Sequence, residues 1–96
     1  MSTKVYRGRY EITAQMLSII NNSGNEGATR TTVMYKSFLS HAQLKEYLSF
    51  LVEKGLVNEI PQQLRSGNEK MVYKITEKGV RFLWVSAEIE RIVGLD

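Results

Sequence analysis

The sequence contains no cysteine among its 96 residues, and it has one histidine, one tryptophan and one proline. Without cysteine the chain forms no disulfide bond and offers no thiolate to a metal, which fits a reducing compartment. The lone histidine, His41, lacks the second imidazole that an ordinary zinc site needs. We therefore expect His41 to pack near a helix cap or to face solvent.

Long apolar runs are also missing. No stretch approaches the roughly 20 apolar residues that span a bilayer, and residues 1–10 carry charge without the apolar run of a signal peptide. The sequence has no glycine-rich phosphate loop, no Ser/His/Asp or Cys/His set and no metal-binding cluster. We expect a soluble cytoplasmic protein that is not an enzyme and that has no cofactor and no evident small-molecule ligand.

Positive charge is present but unevenly distributed. The chain has 13 Lys and Arg residues against 10 Asp and Glu residues, a net charge of +3. Residues 1–45 hold six basic and two acidic side chains (net +4), whereas residues 46–96 hold seven basic and eight acidic side chains (net −1). Excess positive charge in one half favours a polyanionic partner. The length and the ordinary composition indicate one globular domain.

Two helices are predicted in the first part of the chain. Residues 10–22 place apolar side chains on one face at helical spacing, and the polar residues 21–25 end this first helix. A short second helix starts within residues 28–32, where threonine hydroxyls compete for backbone hydrogen bonds. It ends near Ser37.

A third helix follows after a tight corner. Phe38 and Leu39 are predicted to form an apolar corner, and Ser40 with Gln43 forms a capping box that starts the helix. Gly55 ends it as a residue just past the last turn. The apolar stripe of this helix consists of Leu44, Tyr47, Leu48 and Leu51.

The second half of the chain predicts a hairpin and a last helix. Residues 56–60 alternate like a strand, and residues 71–75 form a second strand rich in β-forming side chains. The polar residues 61–70 between them are predicted to form a long hairpin tip. Thr76 caps the last helix, which covers residues 77–93 and stops at a glycine.

This order of elements predicts an α+β, mostly helical fold of the winged helix-turn-helix class. Three helices, a two-stranded wing hairpin and a C-terminal helix follow one another along the chain. Residues 1–76 are expected to form the winged-helix domain and residues 77–96 a C-terminal dimerisation helix, within one structural unit. Most winged helices bind DNA, but some bind other proteins.

Two segments carry a family resemblance. In the predicted helix-turn-helix, the residues that carry it are Met34, Tyr35, Lys36, Leu39, Ser40, Ala42, Tyr47 and Leu51. Residues 73–79 leave the wing with a threonine, two charged residues and a glycine. Together these segments resemble short archaeal winged-helix DNA-binding proteins, a family that includes dimeric chromatin-type members, over roughly residues 7–83. The resemblance implies binding of double-stranded DNA and dimerisation through the C-terminal helix.

The sequence departs from that family in two respects. Its last helix is shorter than the long coiled-coil arm of the chromatin members, and its predicted wing loop is longer. A compact transcriptional regulator and a chromatin-type architectural protein, both nucleoid-associated, therefore remain open.

The third helix is expected to enter the major groove of DNA, which at about 12 Å in width admits one α-helix. Lys45 is a candidate for guanine or phosphate, and Gln43 either contacts adenine or only completes the capping box. If about four phosphates are neutralised per subunit, log affinity falls with log salt at a slope of about −3.6. The candidate DNA-binding residues are Arg7, Arg9, Arg30, Thr31, Lys36, Ser40, Gln43, Lys45, Ser49, Arg65, Ser66, Asn68 and Lys70.

The last helix carries two apolar stripes, and one stripe suffices to pack it on its own domain. The first stripe is Val80, Leu83, Trp84 and Ala87. The second stripe, a predicted homodimer interface, is Phe82, Val85, Ile89, Ile92 and Val93. The simplest cover for it is a second copy of the chain, and the alternative is that the first helix buries both stripes. Trp84 is interpreted as a core or interface anchor.

A second function remains open on the sequence alone. Glu46 and Glu53 lie on the outward face of the third helix and repel a polyanion, and the net charge is weak. These features favour a winged-helix module that binds another protein and not DNA.

Overall fold

The computed structural model describes residues 8–94, and the predicted order of helices and strands is confirmed. The helices are α1 (Arg9–Asn21), α2 (Arg30–Ser37), α3 (His41–Glu53) and α4 (Glu77–Val93), with a 3-10 turn at Gly24–Glu26. The strands are β1 (Ala28–Thr29), β2 (Val57–Gln63) and β3 (Glu69–Ile75).

The three strands form an antiparallel sheet in the order β1-β3-β2. The prediction of a long hairpin tip at residues 61–70 is wrong, because the ladder between β2 and β3 continues to the pair Gln63 and Glu69. Proline normally breaks such a ladder, but β2 is an edge strand, where the missing N–H is tolerated. Strand β1 was not predicted, since two residues are too short to show alternation.

The core lies between the helices and the sheet. Met16 and Leu17 of α1, Leu44 and Leu51 of α3, and Val33 of α2 are completely buried. Each such side chain contributes roughly 1.5–3 kcal/mol relative to exposure. The predicted apolar stripe of α3 is confirmed as the face that packs inward, so the opposite face of α3 is left to solvent.

The end of α3 and the start of α4 are joined by a group of hydrogen bonds, which we call the α3–α4 junction. The Thr76 hydroxyl donates to the Gly55 carbonyl at 2.7 Å and accepts from the Gly79 amide at 3.1 Å. The Thr76 amide donates to the Leu56 carbonyl at 3.1 Å, and Lys78 Nζ donates to the Lys54 carbonyl at 2.7 Å. One threonine thereby caps α4 and ties it to the chain that leaves α3.

Gly79 allows the close approach at this junction. A Cβ atom at this position would lie 2.3 Å from the Leu56 carbonyl oxygen and 2.6 Å from Cγ1 of Ile75. Both distances are far inside van der Waals contact. Packing therefore requires the glycine that ends the pattern of residues 76–79.

A cross-strand pair connects the base of the wing to the core. Tyr73 is 1% exposed, and its hydroxyl donates to Glu59 Oε2 at 2.5 Å from the directly opposite position on β2. Burial raises the pKa of Tyr73, the bond to Glu59 and the carboxylate charge raise it further, and the Arg30 guanidinium acts in the opposite direction. The folded state therefore favours the neutral phenol.

Replacing Gly79 by alanine is expected to destabilise the protein. In an unobstructed helix this change stabilises by about 0.5–1 kcal/mol, whereas overpacking at the junction costs roughly 1–3 kcal/mol. The measurement is urea unfolding followed by far-UV circular dichroism, with the exposed Glu88→Ala on the same helix as control. A Gly79→Ala midpoint at or above that of the parent would contradict the packing argument.

The Tyr73–Glu59 pair makes stability depend on alkaline pH. Because the folded-state pKa of Tyr73 is raised above the unfolded value of about 10, the stabilisation is complete below that pH and is lost as pH rises above it. Tyr73→Phe is expected to be less stable at neutral pH and to lose less stability between about pH 8 and pH 11. Urea midpoints across this range test it. Tyr35→Phe, which replaces an exposed tyrosine, should lose as much stability over this pH range as the parent does.

Candidate nucleic-acid interface

The corner between α2 and α3 consists of three residues, Phe38, Leu39 and Ser40. Leu39 is 7% exposed and inserts into the core, which fixes the two helices against each other. Phe38 lies in the left-handed region, with φ of 60° and ψ of 30°. A short turn with one left-handed residue is the arrangement that helix-turn-helix motifs use.

The predicted capping box at the start of α3 is confirmed. Ser40 Oγ accepts from the Gln43 amide at 3.2 Å, and Gln43 Oε1 accepts from the Ser40 amide at 3.1 Å. The carbonyl end of the Gln43 side chain is therefore occupied by the cap. The amide nitrogen of the Gln43 side chain is the atom left to contact a ligand.

Charge is distributed unequally along the exposed side of α3. Residues 27–45 contain Arg30, Lys36 and Lys45 and neither aspartate nor glutamate. The amide groups of the first turn of a helix add partial positive charge. Glu46 and Glu53 are exposed further along α3. The side of α3 that suits an anion is thus confined to its first turns, and we call the residues Lys36, Ser40, Gln43 and Lys45 the corner surface.

The wing ends in a tight turn that carries the second basic group. The Leu64 amide donates to the Asn68 carbonyl at 2.7 Å and the Gly67 amide to the Leu64 carbonyl at 3.0 Å, with Gly67 at a φ of 93°. The predicted DNA-binding side chains of this wing tip are all exposed, namely Arg65, Ser66, Asn68 and Lys70. The seven-residue strands on either side extend this tip away from the core.

Two predicted DNA-binding arginines contact the domain itself. The Arg9 guanidinium lies 5.6 Å from the ring centre of Tyr47 and 5.5 Å from that of Phe50, a cation–π arrangement that holds α1 on α3. Arg30 lines a cleft of about 230 Å³ together with Glu53, Glu59 and Tyr73. Neither arginine is thereby brought into the corner surface.

Three other predicted positions remain, namely Thr31, Ser49 and Arg7. Thr31 and Ser49 are exposed on α2 and α3. Arg7 lies outside the described residues. Every predicted DNA-binding residue within residues 8–94 is therefore exposed, and the corner surface and the wing tip are two groups among them.

Two exposed aromatic side chains at the corner were not predicted. Phe38 is 84% exposed and Tyr35 is 80% exposed, so the prediction that Phe38 packs in an apolar corner is wrong, and only Leu39 does so. The left-handed region costs residues with a Cβ atom roughly 1–2 kcal/mol. Helical spacing does place Tyr35 opposite the buried Val33 and Ser37, a signal that the sequence contained.

The packing face of α4 lies between the two predicted stripes. Gly79 and Ser86 are buried, and Phe82 and Leu83 pack against the core. The Phe82 ring centre is 5.7 Å from that of Tyr10, whose hydroxyl is hydrogen-bonded to Ser86 Oγ. Phe82 therefore packs within its own domain, which corrects its assignment to the dimer stripe.

Most of the remaining apolar side chains of α4 are exposed. Trp84 is 73% exposed, so it is not a core anchor. At about 100° per residue, the four exposed valine and isoleucine residues fall within one arc of about 100° on the helix. We call them the α4 apolar face: Val85, Ile89, Ile92 and Val93, between 45% and 73% exposed.

Two other features are absent from the described part of the chain. Within residues 8–94, no helix has the length and apolar character of a membrane span. In the same range, no group of three or more histidine or acidic side chains is placed to hold a metal ion.

Comparisons with known proteins agree with this geometry. The sequence model of the winged helix-turn-helix family matches residues 6–93. The structure is similar to that of Sso10a-2, a DNA-binding protein from Sulfolobus solfataricus, with a TM-score of 0.69 and 26% identity over 92% of this chain and 83% of that one.

Two further solved structures share the fold. A PadR family transcription regulator from Clostridium difficile has a TM-score of 0.73 and 18% identity over 86% of this chain and 90% of that one. The PcaV transcriptional regulator from Streptomyces coelicolor has a TM-score of 0.61 and 16% identity over 85% of this chain and 59% of that one. A search of the curated proteins gave no match. With its family model matched over nearly the whole sequence, this chain belongs to the winged helix-turn-helix family.

Proposed function

We propose that this protein binds double-stranded DNA as a homodimer, with the first turns of α3 in the major groove and the wing tip on the neighbouring backbone. The observation that carries the proposal is the pairing of two exposed, basic groups, the corner surface and the wing tip, in one winged-helix domain. The likeness to Sso10a-2, a DNA-binding protein, supports it.

The charges on α3 determine how the helix enters the groove. Its first turns bring Lys45 and the amide end of Gln43 to base edges or phosphates, and Ser40 lies at the helix N-terminus, where phosphates bind. Glu46 and Glu53 face the same side and repel phosphates, so the later turns stay further from the backbone. Most affinity then comes from phosphate contacts and is sensitive to salt.

The wing supplies contacts that α3 lacks. Arg65 lies in a closed turn and Lys70 near the start of β3, so the wing reaches the adjacent backbone with little loss of conformational freedom. Ser66 and Asn68 add uncharged donors at the same tip. We propose that the protein acts by binding and not by catalysis, and that it is a cytoplasmic protein associated with the nucleoid.

Removing one basic side chain from each group is expected to weaken DNA binding. Lys45→Ala combined with Arg65→Ala removes two phosphate or base contacts per subunit, which lowers the salt slope by about 1.8 per subunit. Fluorescence anisotropy with a random-sequence duplex between about 50 and 200 mM salt measures affinity and slope together.

The matched control removes the same charge from α4. Arg81→Ala combined with Arg91→Ala lies outside both groups and should leave the slope near that of the parent. Equal effects of the two double variants would show that only net charge matters. Absence of salt-dependent binding by the parent would favour the protein-binding module.

The homodimer is proposed to form through the α4 apolar face. Four aliphatic side chains side by side on one helix are disfavoured in water, and the same face of a second copy covers them with two-fold symmetry. A dimer presents two copies of α3 to two half-sites and about doubles the salt slope.

A charge on this face should separate the subunits. Ile89→Glu places a carboxylate at the middle of the α4 apolar face and is expected to give a monomer in sedimentation equilibrium. Ala87→Glu, on the opposite side of the same helix, adds the same charge and should keep the dimer mass. A dimer in both variants would locate the interface elsewhere.

The protein serves either as a transcriptional regulator or as an architectural protein. Selection of binding sites from random duplex DNA separates the two. An enriched motif identifies a regulator, and tight binding without enrichment identifies an architectural protein.

A further inference from the structure

An aromatic side chain without polar atoms occupies an unusual place at the corner between α2 and α3. Phe38 is the only non-glycine residue with a positive φ among residues 8–94. Its side chain is 84% exposed, so the left-handed backbone is not compensated by packing inside the domain. Glycine or asparagine would adopt this conformation with less strain. The benefit of phenylalanine must therefore come from outside the domain.

The surroundings of Phe38 indicate the chemistry of its partner. It follows Lys36 by two residues and precedes the Ser40 cap by two, within the stretch 27–45 that has no acidic side chain. The partially positive amide groups of the first turn of α3 begin three residues after it. An apolar partner embedded in negative charge matches this combination, and duplex DNA has that character.

We infer that Phe38 is a specificity-determining residue of the DNA interface, with its ring against the C5 methyl group of a thymine. The inference rests on the proposed function and adds the base that is recognised. In the major groove, the thymine methyl is the apolar feature of the base edges, and aromatic or aliphatic side chains recognise it. Phe38 lies three residues before the start of α3, the end of the helix proposed to enter that groove.

The same position also determines the cost of recognition. The left-handed Phe38 lies on a short turn between two helices, and the next residue of that turn, Leu39, is anchored in the core. The ring is therefore presented on a backbone that is already ordered before DNA binds, which lowers the entropy lost on contact.

The test compares one duplex with the same duplex in which deoxyuridine replaces thymidine, a change that removes only the methyl groups. Full-length dimeric protein is expected to bind the thymidine duplex about fourfold more tightly per half-site. This is the ratio of affinities that follows from the free energy of burying one methyl group. Phe38→Asn should bind both duplexes equally and keep the parental salt slope. Its urea midpoint should equal or exceed that of the parent, because asparagine relieves the left-handed strain.

The control variant is Tyr35→Ala, which removes the other exposed aromatic ring of the corner and should keep the preference for thymidine. Equal binding of both duplexes by the parent, or a preference that persists in Phe38→Asn, overturns the inference. Either result leaves DNA binding itself intact. If the parent binds neither duplex with a salt-dependent affinity, the proposed function fails as well. A lower midpoint of Phe38→Asn would show that the ring serves the fold.

Discussion

The Thr76 hydroxyl, between the end of α3 and the start of α4, is the contact on which the arrangement of this domain depends. It donates to the Gly55 carbonyl and accepts from the Gly79 amide, and the Lys78 side chain adds a parallel connection to Lys54. These bonds hold the start of α4 against the end of α3, and the contacts of Tyr10 with Phe82 and Ser86 hold α4 against α1, so the angle of α4 to α3 is fixed. In a dimer formed through α4, that angle would determine how far apart the two copies of α3 lie, and hence the spacing of the half-sites.

A second constraint is the way positive charge is divided between folding and binding. Arg9 lies against two aromatic rings, and Arg30 lines a cleft with two glutamates. Lys45, Arg65 and Lys70 are exposed. Arg9 and Arg30 are exposed as well, so their contacts hold the two side chains in place without removing their charge from the surface.

The sequence predicted those parts of the fold that depend on neighbouring residues. The Ser40–Gln43 capping box, the Thr76 cap and the α3 stripe are local patterns, and the structure contains all three. The extent of the wing and the existence of β1 depend on pairing between distant segments, which a local pattern does not encode. For the same reason the packing face of α4 was predicted about a quarter turn away from where it lies.

The candidate site was predictable in part. The exposed side chains of the wing tip and of the first turns of α3 follow from helical spacing and turn residues. The contacts of Arg9 and Arg30 with the domain do not, because they join elements far apart in the chain. Phe38 was missed because a helix ending in a left-handed residue usually has glycine there, and its phenylalanine resembles a core residue when only hydrophobicity is considered.

The edge of the sheet limits how copies of this protein associate. Among residues 8–94, strand β2 is bonded to β3 on one side only, and Pro61 within it has no amide hydrogen to offer a further strand. The opposite edge, β1, is two residues long. Neither border is a good template for strand addition, so copies of this protein bound side by side on DNA should stay individually folded and not merge into a continuous β-sheet.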